Sequence, residues 1–360
     1  MIFLGDIAVP DHISSTLVAK ILDENKEIFR KKLIICNLEG LIHDAPSFND
    51  NKPVLYNDPS LLEILANERQ SVMCLANNHI LDFPDMFKYT IEEIQKKNLL
   101  YCGAGETFKN AESPLIFKEG NRSFALFNAC WDFLLYNHSN PESGIHVARI
   151  RENMLLESIH QLKKVSPEIS IITYFHWNLD METIPFPMYR KFSKALIDSG
   201  TDLVIGAHSH CVQGGEKYGK GYIIYGLGNF FIPDYRYAGG NLYFPARSKI
   251  SLGLEWDTDS DKVICHWFED QSASESGKLS YLGSDDFEIS IRLEEFSPFR
   301  GMSDDEYISY FKKNRRKKWL IPDYKDHRHL FRNRIYTSVL MGRAKFARLL
   351  ARLKLIKWQN

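Results

Sequence analysis

The sequence predicts an α/β domain, and two observations carry that prediction. Short apolar runs rich in Ile, Val, Leu, Phe and Cys recur along the chain and stop abruptly at polar residues. Between them lie segments with helical periodicity and recognisable caps. Continuous apolarity over so few residues marks strands buried on both faces, and strands alternating with helices mark a sheet covered by helices.

Taken in order, "MIFLGD" opens the chain as a strand. A helix that Ser14 or Ser15 can cap follows, running to about Lys32 with Leu17, Ile21 and Ile28 on one face. "LIICNLEG" from Leu33 is the second strand. Asp58-Pro59 sets a cap with proline at the first helical position, opening "SLLEILANE". "VMCLANNH" from Val72 is a strand, and "PDMFKYTIEEIQKKN" from Pro84 is the helix behind it. The alternation continues with helix "ENMLLESIHQLKK" from Glu152, strand "ISIITYFHW" from Ile169 and helix "MYRKFSKALIDSG" from Met188. Strands "DLVIGAHSH" from Asp202 and "YIIYGLGNF" from Tyr222 complete it. Beyond them the pattern changes: "ISLGLEWD" and "KVICHWFED" alternate as antiparallel strands do, and "FEISIRLEEF" reads as one more strand pair. A boundary near residue 300 separates a domain over 1–300 from a basic, helical extension over 301–360.

Composition agrees with a globular protein: 360 residues, 44% hydrophobic and 25% charged. The formal net charge of −1 conceals an asymmetry. Residues 311–360 hold 16 Lys or Arg against Asp323 and Asp326, leaving an acidic body with a basic tail that suits an anionic partner. Six cysteines without C-x-x-C spacing argue against a disulfide framework and for a reducing compartment. No secretory signal and no run of about 20 apolar residues is present, so the expected location is the cytoplasm. In the tail, Phe346, Leu349, Leu350, Leu353 and Ile356 share one side of a helix. Arg343, Lys345, Arg348, Arg352 and Lys354 charge it. Such a helix suits an anionic membrane surface at the inner face, or docking on a partner protein, through 334–360. No nucleic-acid motif accompanies the charge, so nucleic acid is not the expected partner.

Ligands of open α/β sheets bind beyond the carboxyl ends of the strands. Those ends carry Asp6, then Asn37 and Glu39, then Asn77, Asn78 and His79, then His176, His208 and His210, and finally Asn229. Each has an ordinary reading, as a cap, a turn amide or a core histidine. Together they offer carboxylate, imidazole and amide oxygen, the donors that suit two divalent ions such as Mn, Fe or Zn. A carboxylate shared between two such ions makes a hydrolytic centre. Asn229 could orient a ligand histidine or make a turn. Asp82 could hold His79 in one tautomer or cap the next helix.

Asp6, "NLEG" at 37–40, "LANNHILD" at 75–82, "GAG" at 103–105, "HW" at 176–177, "GAHSH" at 206–210 and "GLGNF" at 226–230 resemble the poly-γ-glutamate capsule-synthesis (CapA-like) family. That family is similar to calcineurin-like metallophosphoesterases. The resemblance runs from Met1 to about Phe231. It implies a two-sheet β-sandwich flanked by helices and a dinuclear, phosphoesterase-like hydrolase acting in bacterial capsule or surface-polymer biosynthesis. It also leaves room for an assembly component without strong catalysis, or for an amide hydrolase or transferase acting on a polyglutamate-like polymer. By the same resemblance Asp6 and His210 hold one metal, Glu39 bridges, and Asn78, His176 and His208 hold the other. His79 is then the catalytic group that faces the substrate. The one-residue gap between His208 and His210 would let each serve a different metal on an extended backbone. Two departures stand out: Ala8 replaces the histidine of the wider superfamily, which predicts a metal with fewer protein ligands. "HWNLDM" also replaces the family's "HWG-x-E-Y", placing Asn178 for Gly and Asp180 for Glu, with Asp180 expected beside the metals or the substrate.

Overall fold

The computed structural model describes residues 1–316 except 45, 47–53, 68–69, 136–142, 238–239 and 272–277. Beyond 316 it describes only scattered positions between 331 and 350. The chain lays down half of one sheet, crosses to a second, and returns to finish the first. The opening half comprises β1 (Ile2–Ile7), β2 (Ile34–Leu38), β3 (Ser71–Cys74) and β4 (Leu100–Cys102), all parallel. The second sheet takes β5 (Leu115–Glu119), β6 (Arg122–Cys130), β7 (Ser170–His176), β8 (Leu203–Ala207), β9 (Gly215–Tyr218) and β10 (Gly221–Ile224). Its order is β9-β10-β8-β7-β6-β5. The return supplies β11 (Asn229–Phe231), β12 (Ile250–Asp257), β13 (Lys262–Gln271) and β14 (Lys278–Asp286). The first sheet then reads β14-β13-β12-β1-β2-β3-β4, with β11 taking over beside β1 at Asp6 and Ile7.

The two sheets bury a common core. Phe3, Ile35 and Val72 of the first meet Leu126, Ile172 and Ile205 of the second. The outer faces are covered by helices, α1 (His12–Glu24), α2 (Ser60–Ala66) and α3 (Phe87–Lys96) among them, with Val18, Ile21 and Leu61 packing on Leu4 and Ile34. Alternate faces of each strand are therefore both apolar, which is why the strands read as unbroken hydrophobic runs. Two polar bridges cross the inter-sheet core. Tyr174 donates from its hydroxyl to the Leu4 carbonyl (2.7 Å), and Asn128 donates to the Tyr174 carbonyl (2.8 Å) while accepting from the Ala76 amide (2.9 Å). Gly103, at φ +91°, leaves room for that amide: a Cβ there would lie 1.9 Å from Asn128 Oδ1.

Two local expectations change. Asp11, not Ser14 or Ser15, caps α1, accepting from the Ser14 amide at 2.7 Å, and α1 ends at Glu24 with a separate turn over Lys26–Phe29. "FEISIRLEEF" is not a strand pair: Ser290 accepts from the Leu293 amide and starts the short helix Ile291–Glu295. Its period-two apolar pattern misled because Ile289 and Ile291 are 80% and 76% exposed, so that alternation reports no buried face. The chain also stays packed on the body beyond residue 300. Helix α6 (Asp304–Asn314) — numbered after α4 (Glu152–Val165) and α5 (Pro187–Asp198) — packs on α5, with Tyr307 and Phe311 buried. Arg190 of α5 secures that join with a two-pronged pair to Glu216 (2.7 and 2.9 Å) and a bond to the Met302 carbonyl (2.9 Å). The basic helix expected over 334–360 falls mostly outside the described residues. No helix among the described residues is long and apolar enough to cross a membrane.

Candidate metal centre

The parallel strands β1, β2, β3, β7 and β8 end at one edge of the sandwich, and the chain turns there carry the polar side chains singled out in the sequence. Asp6 closes β1, where Gly5 passes so near β11 that a Cβ would meet the Gly228 carbonyl oxygen at 1.9 Å. Its carboxylate accepts from Asn37 Nδ2 (2.8 Å) on Oδ1 and from the His208 amide (3.1 Å) on Oδ2. His210 Nδ1 stands 3.5 Å from Oδ2. Asn78 Oδ1, His176 Nε2 and His208 Nδ1 form a tight run, 2.9 Å and 3.1 Å apart in succession. Glu39 Oε1 lies 3.8 Å from that His176 nitrogen and 3.9 Å from His79 Nε2. Glu39, His208 and His210 each bring one donor atom within 4.8 Å of the others, a group able to hold a metal ion. All six expected ligands thus converge, and none lies in a separate pocket.

Whether cations fit can be tested on Glu39. Its side chain is wholly buried, yet neither carboxylate oxygen has a hydrogen-bond partner among the described residues. An ionised carboxylate left so is costly, and a metal ion is the partner that removes the cost. Burial, and then the neighbouring Asp6, Asp180 and Asp82, push the Glu39 carboxyl well above the usual range. Burial also raises Asp6, against the pull of His210 and Asn37. Burial and the nearby imidazoles hold His176 well below its usual value, which keeps its ring neutral with a lone pair to donate. Two buried carboxylates and the neutral ring of His176 beside them are what divalent cations need. The donor set fits.

The loop geometry differs from expectation at one point. His208 and His210 do not sit on extended backbone: their φ values are +83° and +53°. Left-handed conformation at a non-glycine residue is uncommon, and two within three residues mark a strained turn that presents both rings to one site. Asn178 has φ +71°, a left-handed backbone that asparagine is among the few residues to tolerate. The Asn178 amide accepts from the Phe186 backbone and donates to Gln213, holding the loop shut.

Outside the six, Asn229, Asp82 and Asp180 each lie beside a histidine of the cluster. Asn229 Oδ1 lies 2.7 Å from His210 Nδ1, so it orients that ring. Asp82 Oδ2 lies 2.5 Å from His79 Nδ1, which favours the orienting reading over the cap. Asp180 Oδ1 is 3.0 Å from His208 Nε2, with the rest of its side chain 45% exposed at the mouth. Ala8 is buried beside Tyr56, Tyr237 and Phe244, and the Phe244 ring lies 5.1 Å from that of His210. The sequence reading gave no role to Asn37, Asn77 or Asn57. Asn77 accepts from the His79 and Ile80 amides and donates to Asn37, which passes the link on to Asp6. Asn57 donates to the Glu39 carbonyl and steadies the turn behind it. The density of asparagine at strand ends was the signal available for these.

Two packed sheets with carboxylate, amide and imidazole donors gathered at their strand ends define a calcineurin-like metallophosphoesterase fold. The family model described as bacterial capsule synthesis protein PGA_cap matches residues 1–234, and the chain belongs to that family. Among curated relatives, the capsule biosynthesis protein CapA of Bacillus anthracis is 28% identical over 163 residues, covering 44% of this chain and 39% of the relative. The PGA biosynthesis protein CapA of Bacillus subtilis is 23% identical over 236 residues, 63% of this chain and 62% of the relative. A probable polyglutamine synthesis accessory protein of Mycobacterium tuberculosis is 28% identical over 244 residues, 64% and 63% of the two chains. The chain therefore spans less than two thirds of each of these relatives. A putative 5′-nucleotidase of Staphylococcus aureus aligns with a TM-score of 0.43 at 12% identity, over 86% of this chain and 58% of that one.

Proposed function

We propose that this protein is a dinuclear, divalent-metal-dependent phosphoesterase-like hydrolase that serves bacterial capsule or surface-polymer synthesis. The observation that carries the reading is the Glu39 carboxylate, buried and without hydrogen bonds at the point where five other donors converge. Asp6 and His210 would hold one cation, Asn78, His176 and His208 the other, and Glu39 both. Divalent cations in such a site polarise a phosphoryl group and acidify water. Mn, Fe and Zn all suit the donors. The chain's own contribution is positional. The Asn77–Asn37–Asp6 relay fixes the first carboxylate, Asn229 and Asp180 fix the two histidines of the "GAHSH" turn, and Asp82 sets the tautomer of His79. With Nδ1 engaged by Asp82, Nε2 of His79, which faces Glu39 at 3.9 Å, would be the atom that passes a proton to a leaving oxygen. The capsule role rests on the relatives' names, and one of those names describes an accessory protein.

The test is turnover of an aryl phosphate by Mn-loaded protein. His79→Ala should lower the rate by about 100-fold, the scale of one general acid. Equal rates for native and variant protein on phosphate esters and small amides would favour a non-catalytic assembly role. The basic tail is proposed to meet an anionic membrane surface. Its described positions Phe331, Ile335, Val339 and Phe346 are all exposed. Phe331→Asp with Phe346→Asp should abolish sedimentation with phosphatidylglycerol vesicles, and binding that survives both changes removes that proposal.

A further inference from the structure

The loop between β7 and α5 is held on two sides. On one side it meets the histidine turn. Asp180 Oδ1 stands 3.0 Å from His208 Nε2, and the Met181 amide donates to the Ser209 carbonyl (2.8 Å). Gln213, just past that turn, donates to the Glu182 carbonyl (2.9 Å) and accepts from Asn178 Nδ2 (2.9 Å). On the other side the loop meets the segment beyond residue 300. The Tyr307 hydroxyl of α6 donates to the Pro185 carbonyl (2.6 Å), and the Phe311 ring lies 5.5 Å from that of Phe186. The buried Glu182 carboxylate accepts from the Thr183 amide (3.1 Å) on one oxygen and from the Arg316 amide, just after α6, on the other (3.1 Å). Asn178 and Met181 both have left-handed backbone, at φ +71° and +58°. A methionine persists there only where its surroundings fix it, so the loop takes its shape from these outside bonds.

We propose that Glu182 is a positioning residue for the metal centre, pinning this loop to the segment behind it so that Asp180 holds the His208 ring in place to donate. A partner on the second nitrogen of a ligating histidine fixes the ring and its free lone pair, and such partners bear directly on metal affinity. Glu182 does not touch the ring. It acts two residues away, by joining amides from two distant parts of the chain on one buried carboxylate. The family match ends at residue 234, so a segment outside that match completes a centre built within it. The inference rests on the proposed cation site and not on the reaction.

Calorimetric titration of the metal-free full chain with Mn reads this role without any turnover. Glu182→Ala should weaken Mn binding about tenfold, the low end for loss of a group that orients a metal ligand. Asp180→Asn should weaken it at least as much. The double variant should bind no more weakly than Asp180→Asn, because Glu182 acts through Asp180. A contact that served the fold alone would lower the melting temperature of Glu182→Ala and leave its Mn affinity within about twofold of native. That result overturns the proposal, and so do losses that simply add in the double variant. Tyr307→Phe removes one hydroxyl from the same clamp and keeps the ring, so it decides the matter if Glu182→Ala does not fold. It should weaken Mn binding about threefold, the scale of one neutral hydrogen bond, and native affinity there overturns the role. Native protein that takes up no Mn overturns the cation site and the role together, whereas native affinity in the variants removes the role and keeps the site. Glu182-dependent Mn binding in a protein that cleaves no ester keeps the role and removes the hydrolase.

Discussion

Glu39→Gln is the change that probes the centre most directly. Glutamine has the shape of a protonated glutamic acid, and burial beside Asp6 already drives Glu39 toward that form when no cation is near. Metal-free protein should therefore melt within about 1 °C of native, because little is lost that the metal-free state uses. The metal-loaded protein should behave differently. At a cation concentration about 100 times the dissociation constant, binding stabilises the native state by about 2.7 kcal/mol. An unfolding entropy near 2.1 cal/mol/K per residue gives about 0.75 kcal/mol/K for a chain of this length, so native protein should gain about 3 to 4 °C on adding Mn. If the loss of the charged bridge weakens binding by about 100-fold, the same Mn concentration stabilises the variant by only about 0.4 kcal/mol, or about 0.5 °C. Differential scanning calorimetry with Mn and with EDTA reads both numbers. A full Mn shift in Glu39→Gln would refute the bridging role, and a large loss of stability in EDTA would refute the argument from burial.

Two further outcomes follow from other parts of the molecule. Asn128→Ala strips the partners from two buried backbone groups, the Ala76 amide and the Tyr174 carbonyl, and should cost about 2 to 5 kcal/mol in urea unfolding. A loss under 1 kcal/mol would mean that the sheets do not depend on this bridge. Glu255 is a pH reporter: burial opposes its ionisation, but His266 and Lys32 outweigh burial and hold it below 4.5. A depressed carboxyl contributes stability above its ordinary value and loses it as pH falls through the lower, folded value. Glu255→Gln should therefore flatten the decline in stability below pH about 4.5, by on the order of 1 kcal/mol, in pH-dependent denaturation. An unchanged acid limb would show that the His266–Lys32 cluster has no such effect.

Much of this site could be read from the chain because parallel strands buried on both faces end in polar residues at one edge. The rule that ligands lie at strand ends gathers Asp6, Asn37, Glu39, Asn77, Asn78, His79, His176, His208, His210 and Asn229, and the resemblance to the capsule-synthesis family picks the six candidate ligands from among them. What could not be read depended on contacts between the sheets or on single torsions. Asn128 lies within β6 and looks like an interruption until Ala76 and Tyr174 are seen on either side of it. Asn37 and Asn77 join into a relay only because β2 and β3 are neighbours. The left-handed backbone at His208 and His210 is not fixed by residue type, since histidine adopts it more often than most residues but still in a small minority of cases. Ser14 and Ser15 were plausible caps, but Asp11 lay nearer the true start of the helix. In "FEISIRLEEF" local alternation competed with a serine cap, and the cap prevailed because no sheet face was there to receive the strand.

The route of the chain through its two sheets bears on how the protein is made. β1 lies inside the first sheet, with β2 on one flank, yet the opposite flank is filled by β11 and β12, which leave the ribosome more than 220 residues later. At 5–20 residues per second that is a delay of roughly 10 to 45 seconds, during which one edge of β1 has no strand to pair with. Asp6 waits with it, since the His208 amide and its neighbour Asn229 arrive only with the later segment. Until that segment is made, a nascent chain of this design exposes an apolar strand edge.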